Sequence, residues 1–228
     1  MLDGDRIQDE YKSAAASSHP ITRLSAYCPL VSSSATFSAN AKSLRIPPFA
    51  LGILDDIRFL TTSIIQSKGG DKETARICET ASWLHDRLAA TQSGVAKNET
   101  SHMDAAVRLA ASIYAWAVSS RKPLSAFRSE TVREDLITAV QGVRLSWWKE
   151  IPGINLWIVL VACSGVPGDV SGRFWRRKAA VATSAIAFEN FALAITCLSS
   201  FQRVQGWLVA GEGEPGDEGD TGLPTLPG

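Results

Sequence analysis

The adjacent carboxylates in Leu54-Asp55-Asp56-Ile57-Arg58-Phe59 are the residues whose types most readily suggest chemistry. Paired aspartates can hold magnesium through oxygen ligands when a second helix faces them with carboxylates of its own. No second Asn/Asp-Ser-Glu cluster occurs in the sequence, so the pair is read as solvent-facing, with Ile57 turned inward. His19, His85 and His102 are far apart and have no metal-site spacing to Cys, Asp or Glu. Cys28, Cys78, Cys163 and Cys197 are scattered singly, without metal or redox spacing, and are expected as free buried thiols in a reducing compartment. Serine is abundant, yet no nucleophile-elbow or phosphate-loop glycine pattern accompanies it. On these grounds no catalytic, cofactor-binding or metal-ligating residue is assigned, no cofactor is expected, and the chain is read as non-enzymatic.

The concentrated basic patch is Arg173-Phe174-Trp175-Arg176-Arg177-Lys178, with four positive charges in six residues. Interleaved basic and aromatic residues can contact phosphates or bases. Lys+Arg and Asp+Glu each number 23, however, so there is no general basic field, and the patch is read as a helix start with a snorkelling basic face.

The elements that position these residues are helical. Ser101 to Lys122 is the stretch around which the chain is organised. Between Asp104 and Val118 only Arg108 and Ser112 are polar, four residues apart, so the remaining circumference is apolar and a helix there must be surrounded by protein. Ser101 is expected as its N-cap, and Pro123 ends it. Ahead of it, Phe49–Ser67 places Ile53, Ile57, Leu60 and Ile64 on one face and stops at Gly69-Gly70, and Asp71–Thr91 places Ile77, Ala81, Leu84 and Leu88 together. Beyond Pro123, Leu124 and Phe127 are expected to pack back on the core. A helix from Ser129 to Glu150 follows, with Val132, Leu136, Val140, Val143 and Trp147 as its stripe.

Ile154–Cys163 is apolar at nine of ten positions and reads as a short buried helix. Ser171 is expected to cap the last helical stretch, which either runs through or breaks near Thr183. Its inner face is expected to be Ala187, Phe191, Ala194, Leu198 and Phe201, with Glu189, Thr196, Ser200 and Arg203 opposite. Glu189 and Asn190 in the middle of 179–199 argue against a membrane span there, because a charge is costly against lipid. Residues 1–43 are rich in Ser and Ala with aperiodic apolar residues, predicting a mobile or loosely docked segment. Residues 210–228, an acidic Gly/Pro tail, are expected to be disordered. At 228 residues, 45% hydrophobic and 20% charged, the chain is expected to be all-α, an irregular bundle of six or seven helices over 44–209. The charged N-terminus has no apolar run and does not read as a secretory signal.

Several stretches, taken in order, resemble the fungal-specific transcription factor regulatory domain. LDDIRFLTTSII resembles its early helix, and SWLHDRLAA the Trp-Leu-x-x-Arg-Leu helix that follows. AAVRLAASIYAWAVSSRKPLSAF is similar to its helix-loop segment, GINLWIVLVACSG and RFW to its buried Leu-Trp run and Arg-x-Trp start, and SFQRVQGWL to its terminal helix. The resemblance covers about residues 44–208 and the C-terminal part of that domain. It implies a helical regulatory domain in the nucleus, acting through protein partners, self-association or a small effector. The zinc-cluster DNA-binding module of that family needs six close cysteines and this chain has four distant ones, so direct DNA contact is not implied. Trp116, Trp147, Trp157 and Trp175 are read as packing residues instead of ligand contacts. Two alternatives are a membrane-associated helical protein using 154–163 and 179–199, and a magnesium-dependent helical lyase around Asp55 and Asp56, whose motif is superficially similar to that of terpene synthases.

Overall fold

A computed structural model describes residues 27–33, 35–90, 98–164 and 170–211. His19, the linker around 91–97 and the acidic tail beyond Gly211 lie outside them. The described residues are all-α, with nine helices, seven of them twelve residues or longer: α1 Ala41–Leu44, α2 Pro48–Gln66, α3 Asp71–Ala90, α4 Glu99–Ser120, α5 Glu130–Gln141, α6 Leu145–Glu150, α7 Pro152–Cys163, α8 Val170–Glu189 and α9 Phe191–Ala210. Short 3-10 turns occupy Ser38–Asn40 and Leu124–Ala126.

The centre is α4, which packs against α2, α3, α5 and α7. Its near-complete apolar circumference is the reason, since Met103, Ala106, Val107, Ala110, Ala111, Ile113, Tyr114, Ala115, Ala117 and Val118 are all buried. Arg108, on the polar stripe, pairs with Asp104 one turn earlier at 3.1 Å. Tyr114 carries its hydroxyl into the core against the Thr61 hydroxyl, 2.9 Å away, and burial pushes its phenol well above the ordinary range.

The start of α4 differs from expectation. Asn98 is the N-cap: its Oδ1 accepts from the Ser101 N–H at 2.8 Å, while Ser101 Oγ accepts from the Asn98 N–H at 3.0 Å. Ser101 thus fills the third position of a reciprocal capping box, three residues inside the end. At the other end Arg121 takes a left-handed conformation, φ 46°, before Pro123. Leu124 is buried and Phe127 meets Trp116 edge to face.

The helix expected over 129–150 is two helices, α5 and α6. Glu99 takes the Arg144 backbone N–H at 2.7 Å and its guanidinium at 2.7 Å, which removes that N–H from the helical ladder. The break resets the helical phase, so Trp148 is buried with its Nε1–H on the Val140 carbonyl, while Trp147 is only partly buried. Gly142 sits at the break because a Cβ there would lie 2.4 Å from the His102 ring. Gly142→Ala is therefore expected to cost about 1–3 kcal/mol in urea unfolding, as overpacking does. His102→Ala in the same chain is expected to cancel most of that loss, whereas strictly additive costs would show that the ring is not the obstacle.

Further along, α7 buries nine of its twelve residues, as its composition predicts. The last stretch does not break near Thr183. It breaks at Asn190, whose Oδ1 accepts from the Leu193 N–H at 2.9 Å and caps α9. The inner face of α9 is Leu193, Ala194, Cys197, Phe201, Val204 and Leu208, so Phe191 is outward, contrary to expectation, and Leu198 is only partly buried. No helix among the described residues is long and apolar enough to cross a membrane.

From residue 27 onward the Ser/Ala-rich N-terminal stretch is docked where a mobile or loose segment is expected. Cys28, Leu30 and Phe37 are completely buried, and Leu44 and Ile46 nearly so.

Candidate functional site

The Asp55-Asp56-Ile57-Arg58 motif holds this arm. On α2, Asp55 faces the arm: its carboxylate accepts from the Phe37 N–H at 2.6 Å, the Ser38 N–H at 3.1 Å and the Ser38 hydroxyl at 2.7 Å. It caps the 3-10 turn there, as a side-chain oxygen caps a helix start. One turn along from Asp55, Arg58 is nearly buried and donates to the Ala35 carbonyl at 2.6 Å and the Cys28 carbonyl at 3.4 Å. Its guanidinium lies 3.9 Å from the Phe37 ring centroid. Burial lowers the Arg58 pKa, and the nearby Asp55 carboxylate opposes that.

Asp56 points elsewhere, to an ion pair with Arg87 of α3, whose guanidinium also covers the Trp83 ring. The two aspartates are therefore engaged on different elements, and Ile57 is buried as expected. Among the described residues no group of three or more His, Cys, Asp or Glu is placed to share a metal ion. His85 is beside Asp86 on α3, and His102 packs on Gly142.

Two of the four cysteines do meet. The Cys28 and Cys197 sulfurs are 3.2 Å apart, both residues completely buried, 169 positions apart in sequence. Burial pushes the Cys28 thiol up, and the hydrogen bond from Cys28 draws the Cys197 thiol down. Cys163 is raised to about 11 by burial, and Cys78 is raised for the same reason.

In the basic patch, Arg173, Arg176 and Arg177 are exposed, Trp175 is buried, and Lys178 lies over the Phe174 ring at 5.6 Å. Trp175 therefore packs in the core, with Phe174 partly buried against it. Trp157 is buried as well, and Trp116 and Trp147 pack partly buried against the core.

The surface the sequence did not reveal lies where α8 meets α9. Phe188 is 92% exposed, Phe191 69% and Ile195 48%, with Val181 one face-repeat earlier on α8 also exposed. Asn190 creates this corner by restarting the helix. Two concave regions are also present: a cavity of about 200 Å³ between α2 and α3, bordered by Phe59, Ser63, Glu73 and Arg76, and one of about 340 Å³ lined by Arg45, Glu99, Arg144 and Trp147. The first is below the roughly 300–1,000 Å³ of small-molecule sites, and the second is at its lower edge with charged walls.

Comparison with models of protein families, with curated proteins and with solved structures finds no match. The chemistry of the site therefore rests on its own geometry. That geometry uses Asp55 and Arg58 to fasten the arm and Asp56 to tie α2 to α3, and it leaves large apolar side chains facing outward at the α8–α9 corner.

Proposed function

We propose that this chain is a non-enzymatic regulatory domain of the kind its sequence resembles, the C-terminal part of fungal transcription factor regulatory domains. It acts in transcription regulation in the nucleus by binding a protein, without contacting DNA itself. The observation that carries this reading is the α8–α9 corner, where Phe188, Phe191 and Ile195 face outward within eight residues. Clustered exposed aromatic and aliphatic side chains mark protein interaction sites, and such residues dominate binding energy once a partner covers them.

The test is to tether the whole chain to a promoter through an unrelated DNA-binding module and read a reporter gene. The reading expects a several-fold change in output and a tagged chain concentrated in the nucleus. Unchanged output with a membrane-confined chain, or magnesium-dependent turnover of a prenyl diphosphate by the purified protein, overturns it.

A further inference from the structure

We propose that Cys28 and Cys197 form a redox modification site, closing to a disulfide that locks the N-terminal arm onto the C-terminal helix. Cys28 is on the arm and Cys197 on the inner face of α9, with their sulfurs 3.2 Å apart. Closing a disulfide of about 2.05 Å needs a further approach of roughly 1.2 Å. Cys28 is closely packed as well: Gly153 of α7 is so near the arm that a Cβ there would be 2.8 Å from the Cys28 Cβ and 2.9 Å from the Tyr27 carbonyl. Asp55 and Arg58 of α2 hold the same stretch through hydrogen bonds.

Both thiols are covered in the docked state, so reaction begins with local opening of the arm. A low-molecular-weight disulfide such as oxidised glutathione is the oxidant. The Cys28 thiolate attacks one glutathione sulfur and expels the other half as a thiolate, giving a mixed disulfide. As the arm returns, the Cys197 thiolate attacks the Cys28 sulfur, forms the new S–S bond and expels the second glutathione thiolate. The two protein thiol protons end on the two released thiols, and two electrons pass to the oxidant. In a reducing compartment the pair rests as thiols, and an oxidising shift closes it.

The experiment uses the full chain, prepared reduced and incubated folded with oxidised glutathione, followed by non-reducing peptide mapping and thermal unfolding. The expected result is a Cys28–Cys197 cross-linked peptide pair, reversed by dithiothreitol, with Tm raised by about 5–15 °C. Gly153→Ala is expected to lower the yield of that link several-fold by displacing the arm, with helicity monitored by circular dichroism. Recovery of Cys28 and Cys197 as free thiols while glutathione collects on Cys78 or Cys163 overturns the proposal. A link that forms only after the chain is denatured overturns it equally.

Discussion

Trp157→Ala is expected to be among the most damaging substitutions in the chain, costing about 3–5 kcal/mol, the range for removing a large aromatic side chain from a core. Trp157 is on α7, completely buried, with its ring edge-on to Tyr114 at 6.4 Å between centroids. A cavity there opens beside α4, around which the other helices pack, so little relaxation can fill it. The indole Nε1–H has no hydrogen-bond partner among the described residues, and a buried donor without a partner is itself unfavourable. Trp157→Phe keeps most of the bulk and deletes that donor, so it is expected to cost less than about 1.5 kcal/mol. Urea unfolding of the two variants checks both statements. Equal costs for Phe and Ala would show that the indole nitrogen is engaged, and a small cost for Ala would remove α7 from the core.

Arg58→Ala is expected to cost about 2–4 kcal/mol, because it removes charge-assisted hydrogen bonds to two carbonyls together with the stacking on Phe37. The loss is local in origin. Amide hydrogen exchange is expected to rise over residues 28–38, with α3 and α4 remaining protected. Arg58→Lys restores the charge without the planar fork that reaches two carbonyls while lying on a ring, so it recovers less than half of the loss. Uniform exchange across all helices in Arg58→Ala would contradict a clasp confined to the arm. Full rescue by lysine would mean that charge alone matters there.

The long helices were legible because burial repeats along them. The stripe of Ile53, Ile57, Leu60 and Ile64 and that of Ile77, Ala81, Leu84 and Leu88 are both inward in the structure. So is almost the whole circumference of α4. What escaped the sequence depends on partners far away along the chain. The break between α5 and α6 requires Glu99 to claim the Arg144 N–H across 45 positions, and no local pattern announces that. Asn190 was legible in principle as an N-cap, and treating it only as a polar interruption put Phe191 on the wrong face. The arm has no period because its apolar residues are buried one at a time: Cys28 against Gly153 and Cys197, Phe37 beneath Arg58. Residue types alone marked Asp55 and Asp56 as chemically capable. Their engagement by Ser38 and Arg87 is set by which helices face them.

The most direct test of the functional account compares the promoter-tethered chain with the same chain carrying Phe188→Asp and Phe191→Asp, at matched abundance and helicity. Both side chains face outward, so the fold is expected to tolerate the change. The account predicts that reporter output falls to the level of the DNA-binding module alone. Output equal to that of the unmodified chain would contradict the assignment of the α8–α9 corner as the surface through which this protein acts.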